Sequence, residues 1–390
     1  MMSNSFDFFT RKFGYVYLKF TEYIVNSIVY VYSLLYKTKK INKNYKSIAA
    51  FWYYPSDITG SNLRMGGWAD YFRKDGYVYD NFFDGKFSEY VRNIEKGNWT
   101  QRYFFFAKCL WRRLPQILQA HKYDVLWIDR GLIPFYPRKS AFLEKRLKKV
   151  VGKLVVDTTD GGDYKGNPKL MEEVLSTAHE ITVGYKHLLD FYKDRFKVTQ
   201  VFWTIPMDNY IRKQNYDFAE GKPVIGWMGS PGNFSYVLGL ANLLKELSLK
   251  RDFIFRYICR ENFNEQLEGI QAEHFYFGED YYKVLSSFDI GISPFLKIDL
   301  QSQGKIAMKH QEFMIMGIPQ VCSPVAISEL VQNGRDVLIA ENEKEWTDYL
   351  DRLMQDVQLR KTLGNNARQL FEEYYTYPGQ YLILKNVLTR

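Results

Sequence analysis

The chain has 390 residues, 46% of them hydrophobic and 25% charged, which is too long for one ordinary core, sized for two domains, and too apolar for a disordered chain. Its three cysteines, Cys109, Cys259 and Cys322, lie far apart with no CxxC pair, and the five histidines are scattered. This excludes a disulfide framework and argues against a protein-built metal site, so buried thiols in a reducing compartment are expected.

The net charge of +9 is uneven: residues 1–200 carry 33 Lys and Arg against 20 Asp and Glu, whereas residues 201–390 carry 20 against 24. Only the first half therefore suits a polyanion, such as lipid head groups or a pyrophosphate-linked substrate. No nucleic-acid module signature occurs, so no nucleic-acid partner is expected.

The first predicted element is an amphipathic helix within residues 1–45. Phe13, Val16, Tyr17, Phe20, Ile24, Ile28, Val31 and Leu35 follow helical spacing, but the longest uncharged run, 23–36, falls short of the roughly 20 apolar residues that span a bilayer. Lys37, Lys39, Lys40, Lys43 and Lys46 follow, where a signal peptide would place a small-residue cleavage site. Aromatic rings beside lysines suit a helix lying in an anionic head-group region. The same pattern suits a helix packed on its own domain or against a second copy, giving a homo-oligomer.

From Ser47 the pattern alternates between strands and helices. Strands are expected at 47–53, 123–128, 153–156, 180–183 and 198–202, with helices at 62–74 and 141–151. A second alternating unit follows Pro223, with strands at 224–228, 253–259, 288–293 and 319–323 and a helix at 236–249. Residues 206–222 are polar and aperiodic and read as a linker. The prediction is two doubly wound, Rossmann-like α/β domains facing across a cleft, at 46–205 and 206–372, with ligands at the carboxyl ends of the strands. Residues 373–390 form a last helical segment.

Three constellations carry chemistry. Gly226-Trp-Met-Gly229-Ser230-Pro-Gly232 joins a strand to a helix, where small residues let backbone N–H groups approach a phosphate; such turns also hold Gly and Ser for geometry alone. Lys305, Met308, Lys309 and Glu312 stand at i, i+3, i+4 and i+7 on the helix expected at 305–316. They share a face near its start, where two ammonium groups offset a diphosphate and a carboxylate accepts from ribose hydroxyls. A solvated Lys–Glu face gives the same spacing. Asp157-Thr-Thr-Asp160 ends a buried strand, where Asp160 is placed either to deprotonate an acceptor hydroxyl or to cap the turn. Its spacing is wrong for an Asp-x-Asp metal motif.

The segment from Gly304 through Lys309 and Glu312 to Gly317, Pro319 and Ser323 resembles the donor-binding motif of GT-B glycosyltransferases, above all the large retaining group called family four. Val224–Ser230, Asp289–Pro294 and Trp346–Leu363 also resemble that group. In the first half, Ser61-Asn-Leu-Arg64, Tyr123-Asp-Val-Leu and Val155–Asp160 fall where those enzymes place loop and strand-end motifs. The resemblance implies that Gly229 and Ser230 contact the diphosphate, Lys309 neutralises it, Met308 lies near base or ribose, and Glu312 binds ribose hydroxyls. Arg64 would stand on the acceptor or phosphate side, and the helix near 380–388 would cross back onto the first domain. Gly304 replaces the first of the family's paired glutamates, Gly229-Ser230 replaces its arginine, and Asp160 stands where histidine is common. These departures resemble the inverting xanthan-pathway glucuronosyltransferase, so both stereochemical outcomes stay open.

The expected activity is transfer of a sugar from a nucleotide-diphosphate donor to a lipid-linked or polysaccharide acceptor, in bacterial surface polysaccharide synthesis. The expected enzyme needs no cofactor or metal and sits peripherally on the cytoplasmic face of the cell membrane. A sugar-nucleotide epimerase of the same fold, or a catalytically idle scaffold subunit of a polysaccharide assembly complex, are the alternatives.

Overall fold

The computed structural model describes residues 2–37, 45–158 except 134 and 137, 167–295 except 279, and 308–390. Asp160, Lys305, Lys39, Lys40 and Lys43 lie outside them, as does the loop from 296 to Gly304. The chain divides into two compact units, one of Met1–Gly184, Leu188–Thr204 and Gln380–Arg390, the other of Tyr185–His187 and Ile205–Gly379.

The first unit holds β1 (Ser47–Phe51), β2 (Val78–Phe82), β3 (Val125–Asp129), β4 (Lys153–Thr158), β5 (Glu180–Val183) and β6 (Val198–Gln200). They form one parallel sheet in the order β2-β1-β3-β4-β5-β6. Strands β3, β4 and β5 are buried at every position, as expected for strands covered on both faces. The second unit holds β7 (Val224–Met228), β8 (Ile254–Ile258), β9 (Ala272–Phe275), β10 (Ile290–Ser293), β11 (Gln320–Cys322) and β12 (Leu338–Ile339). Their order is β12-β11-β10-β7-β8-β9, again all parallel. Both sheets are thus doubly wound, as the alternating pattern predicts.

Two expected helices are broken. Residues 62–74 form the helices Thr59–Arg64 and Ala69–Lys74 around a 3-10 turn at Gly66–Trp68. A Cβ on Gly66 would come within 2.6 Å of the Trp52 ring, so the missing side chain is what lets the backbone approach the indole. Residues 236–249 likewise split into Ser235–Leu238 and Ala241–Ser248.

The amino-terminal helix runs unbroken from Met2 to Leu35. Leu18, Thr21, Val25, Val29 and Tyr32 form its buried face against the helix Trp99–Ile117. Gly14 lies on the same buried face, where a Cβ would make only an ordinary contact with the Phe104 ring at 3.4 Å. The Tyr32 hydroxyl accepts from the His121 backbone N–H at 2.8 Å. The helix therefore packs on its own domain, but not by the stripe singled out in the sequence. Phe13, Val16, Tyr17, Phe20, Ile28, Val31 and Leu35 all remain exposed. No helix among the described residues is long and apolar enough to cross a membrane.

The last helix, Tyr377–Thr389, contributes Gln380 onward to the first unit. Gln380 Oε1 accepts from the Phe202 N–H at 2.9 Å, Lys385 and Tyr381 meet Asp75 at 2.5 and 2.8 Å, and buried Lys153 donates to the Val387 carbonyl.

Candidate functional site

In the second sheet the winding reverses between β7 and β10, and the crevice beyond the carboxyl ends of such a strand pair is where doubly wound sheets bind ligands. Gly226 and Gly291 are register partners there. A Cβ would lie 2.0 Å from the Phe288 ring at the first and 2.6 Å from the Phe313 ring at the second. The missing side chains let Phe313, on the helix Met308–Met316, press directly onto β10. That helix is buried from Lys309 to Met316, although four of those eight residues, Lys309, His310, Gln311 and Glu312, are polar. It stops at Gly317, whose φ of +71° suits glycine. The Gly317 N–H donates to Met314 O and the Ile318 N–H to Phe313 O, which satisfies the terminal carbonyls.

This burial sets the chemistry of Lys309. Its residue is 8% exposed, and its ammonium nitrogen is buried with no hydrogen-bond partner among the described residues. It stands 4.5 Å over the Trp227 ring and 5.9 Å over that of Phe295. Desolvation lowers its pKa from 10.5 to about 7, with Glu312 and Cys259 opposing the shift. Glu312, one turn on, is also 8% exposed. Its Oε1 accepts from Tyr210 Oη at 2.7 Å and from Tyr281 Oη at 2.9 Å. Burial raises its pKa while the two tyrosines and Lys309 lower it, and burial prevails. The Tyr281 hydroxyl also meets Met228 Sδ at 2.8 Å.

Gly229 ends β7 beside this pair. A Cβ there would stand 2.7 Å from the Trp227 ring and 3.5 Å from Lys309 Nζ, so any side chain would crowd the ammonium. The Gly229 N–H is taken by the Ile258 carbonyl at 3.1 Å; what Gly229 offers a ligand is room rather than a donor. Ser230 is exposed and Met308 half-buried at the start of its helix. Buried Trp227 Nε1 and Ser293 Oγ, at the ends of β7 and β10, have no partner among the described residues either. A buried donor left unpaired is costly, so a polar ligand at these strand ends would recover free energy. Lys309, Glu312 and Gly229 are thus brought together.

Arg64 is placed elsewhere, in the first unit, 2% exposed. Its Nε and Nη2 grip Asp157 at 3.0 and 2.7 Å, and its Nη1 donates to the Val201 carbonyl at 2.7 Å. Asp157 also accepts from Thr182 Oγ1 at 2.5 Å. Arg64 therefore holds the end of β4 rather than presenting its guanidinium to solvent. Beside it, Arg130 adopts φ 56° at the end of β3, a backbone region costly for a residue with a side chain. The guanidinium lies 4.4 Å over Tyr53 and 4.9 Å over Tyr54, a strained cationic feature that nothing in the spacing of residues announced. Tyr210 and Tyr281 were missed for the same reason. Neither lies on a periodic face, and only the fold carries them to Glu312.

Residues 241–381 match a family model described as Glycosyl transferase-like, while no curated protein matches the sequence. Solved structures match at low identity. HepE of Anabaena, in complex with UDP-glucose, superposes with a TM-score of 0.60 at 12% identity, covering 88% of this chain and 99% of its own. The lipopolysaccharide outer core galactosyltransferase WaaB gives 0.59 at 11%, covering 88% and 99%. TarM gives 0.56 at 11%, covering 72% of this chain but only 57% of TarM. The two sheets and this likeness define the GT-B fold. Its carboxyl-terminal half carries the glycosyltransferase-like match.

Proposed function

We propose that this chain transfers a sugar from a nucleotide-diphosphate donor to a lipid-linked or polysaccharide acceptor at the cytoplasmic face of a bacterial membrane, in surface polysaccharide synthesis. The observation that carries the proposal is the buried ammonium of Lys309, which has no hydrogen-bond partner among the described residues, lies one turn from Glu312 and is left uncovered by Gly229. A diphosphate is the ligand such a charge suits, because the contact is charge-assisted and the surroundings are dry. Glu312, aimed by its two tyrosines, then receives ribose hydroxyls, with Met308 near the base and Ser230 and Lys305 on the phosphates. HepE, whose structures hold UDP-glucose and UDP, supports a uridine nucleotide, and WaaB supports a lipid-linked glycan. Asp160 is assigned as the base that deprotonates the acceptor, Arg64 acts through Asp157, and lysines take the place of a metal ion.

The test is calorimetric titration with UDP and the other common nucleoside diphosphates. A ligand at a hundred times its Kd should stabilise the chain by about 2.7 kcal/mol. Glu312→Gln and Lys309→Ala should each weaken the best ligand at least ~10-fold. Unchanged affinity in both would move the donor site elsewhere.

A further inference from the structure

The amino-terminal helix has two apolar faces, and its own domain uses one. Opposite the buried face, Phe9, Phe13, Val16, Phe20 and Tyr23 succeed one another at spacings of four, three, four and three, which keeps them on one side of the helix. They are 68, 64, 55, 61 and 71% exposed, and Leu34 and Leu35 extend the stripe at 57 and 74%. Such a run of rings and aliphatic side chains, about 40 Å long at 1.5 Å per residue, exceeds the scattered apolar exposure of ordinary surfaces.

Beside the stripe opens a cavity of about 390 Å³ lined by Phe142, Lys145, Arg146, Lys148 and Lys149, with Ser176 and Thr177 at its edge. The two features adjoin, because the Arg146 guanidinium lies 4.3 Å over the ring of Tyr30 on the helix. Lys145 is paired with Glu173. Lys148 and Lys149 have no ion-pair partner among the described residues. Lys149 is exposed and Lys148 half-buried, next to an apolar strip on a helix that also carries Arg11, Lys12 and Lys19. Between Phe9 and Lys37 the only acid is Glu22, which Lys19 neutralises at 2.5 Å.

We propose that the outer face of the amino-terminal helix and this basic groove form a single docking surface for an anionic lipid bilayer. The aromatic stripe enters the head-group region, and Lys148 and Lys149 meet lipid phosphates. Charge complementarity selects this occupant. A second copy of the chain would bring the same positive sign to the same place. The stripe is also wider than a coiled-coil seam, since Tyr15, Tyr17, Ile28 and Val31 flank it in the exposed positions that such seams give to charged residues. Tyrosines mixed with phenylalanines instead match the composition of membrane interfaces, where a ring is apolar in body and polar at its tip. The inference deepens the membrane-face part of the proposed function and uses none of the donor-site residues.

The experiment is flotation of the full chain with vesicles of phosphatidylcholine alone or containing 30% (roughly a physiological anionic fraction) phosphatidylglycerol. Binding is expected only to the anionic vesicles, and it should fall as salt rises. The triple change Phe13→Ser, Phe20→Ser, Tyr23→Ser should abolish it. Lys148→Gln with Lys149→Gln should weaken it ~10-fold or more, as each basic residue near the surface contributes about 1 kcal/mol. All five side chains are exposed or half-buried, and unchanged UDP-induced stabilisation in each variant would show that the fold persists. Loss of that stabilisation in the unmodified chain would strike the donor assignment alone. No flotation with either vesicle, equal binding to both, or a dimer in sedimentation that the triple variant dissolves would each overturn the docking surface.

Discussion

Lys309→Met keeps the unbranched side chain up to the position of the ammonium and removes its charge, so it separates what the ammonium costs the fold from what it contributes to a ligand. Burial has lowered the group from 10.5 to about 7. Below pH 7 both folded and unfolded chains hold the proton, and the desolvation cost is at its full value, at most about 5 kcal/mol for such a shift. Between pH 7 and 10.5 the unfolded lysine holds a proton that the folded one lacks. Stability of the unmodified protein therefore rises with pH across that window. Methionine should then stabilise the chain by about 1–4 kcal/mol at pH 6. That advantage should shrink by roughly 1.4 kcal/mol per unit between pH 7 and 10.5. Nucleotide binding should behave oppositely, because a diphosphate returns the charge to Lys309. At pH 8 the unmodified protein should take up a proton on binding UDP, its affinity falling up to ~10-fold per unit above pH 7. Lys309→Met should bind weakly at every pH with no uptake. Urea denaturation at pH 6, 8 and 9.5 measures the first effect, and calorimetry in two buffers of different ionisation heat measures the second. Destabilisation by methionine at pH 6, or UDP binding at pH 8 without proton uptake, would refute the reasoning.

Three further outcomes are expected. Arg64→Ala should cost about 3–5 kcal/mol in urea denaturation, because it strands the buried Asp157 carboxylate, and Arg64→Lys should not restore the lost fork; a loss under about 1 kcal/mol would contradict the structural role. Asp160→Asn should lower turnover by about 10² to 10⁴ with donor affinity intact, whereas near-normal turnover, or a product keeping the donor's anomeric configuration, would leave Asp160 a turn residue. Excess chelator should leave the rate unchanged, and a loss restored by magnesium or manganese would show that lysines alone do not carry the leaving diphosphate.

The parallel sheets were legible because buried strands such as Val224–Met228 read as continuous apolar runs, bounded by glycine and proline. Lys309 and Glu312 were legible because a helix turns three- and four-residue spacing into a shared face. What escaped has physical reasons. Residues 206–222 read as a linker, being polar and aperiodic. Yet Tyr210 reaches Glu312, Lys213 pairs with Asp289 at 2.8 Å, and the Tyr216 carbonyl accepts from Arg360 at 2.7 Å. Long-range side-chain bonds, which leave no period in a sequence, tie this stretch into its unit. Strand β2 escaped because Val78–Phe82, at a sheet edge, holds Asp80 and Asn81 and is buried at Tyr79 alone, so it shows no continuous apolar run. The apolar stripe of the first helix is exposed, whereas the face that packs on the domain went unread. Periodicity marks a face without saying what covers it, and the face that packs, through Leu18, Val25 and Val29, includes Gly14 and Thr21, which dilute its signal.

The return of the last helix bears on how the protein is made. A ribosome delivers β1 to β6 first, but three groups that bind that unit, Gln380, Lys385 and the Val387 carbonyl, emerge only after the whole second sheet. The second unit, apart from Tyr185–His187, is complete once Gly379 has been added. The usual order, in which the amino-terminal domain matures first during synthesis, is therefore reversed here at the last step. A stop codon just before Gln380 would spare the second unit, leave Asp75 without Tyr381 and Lys385, and deprive Lys153 of the Val387 carbonyl.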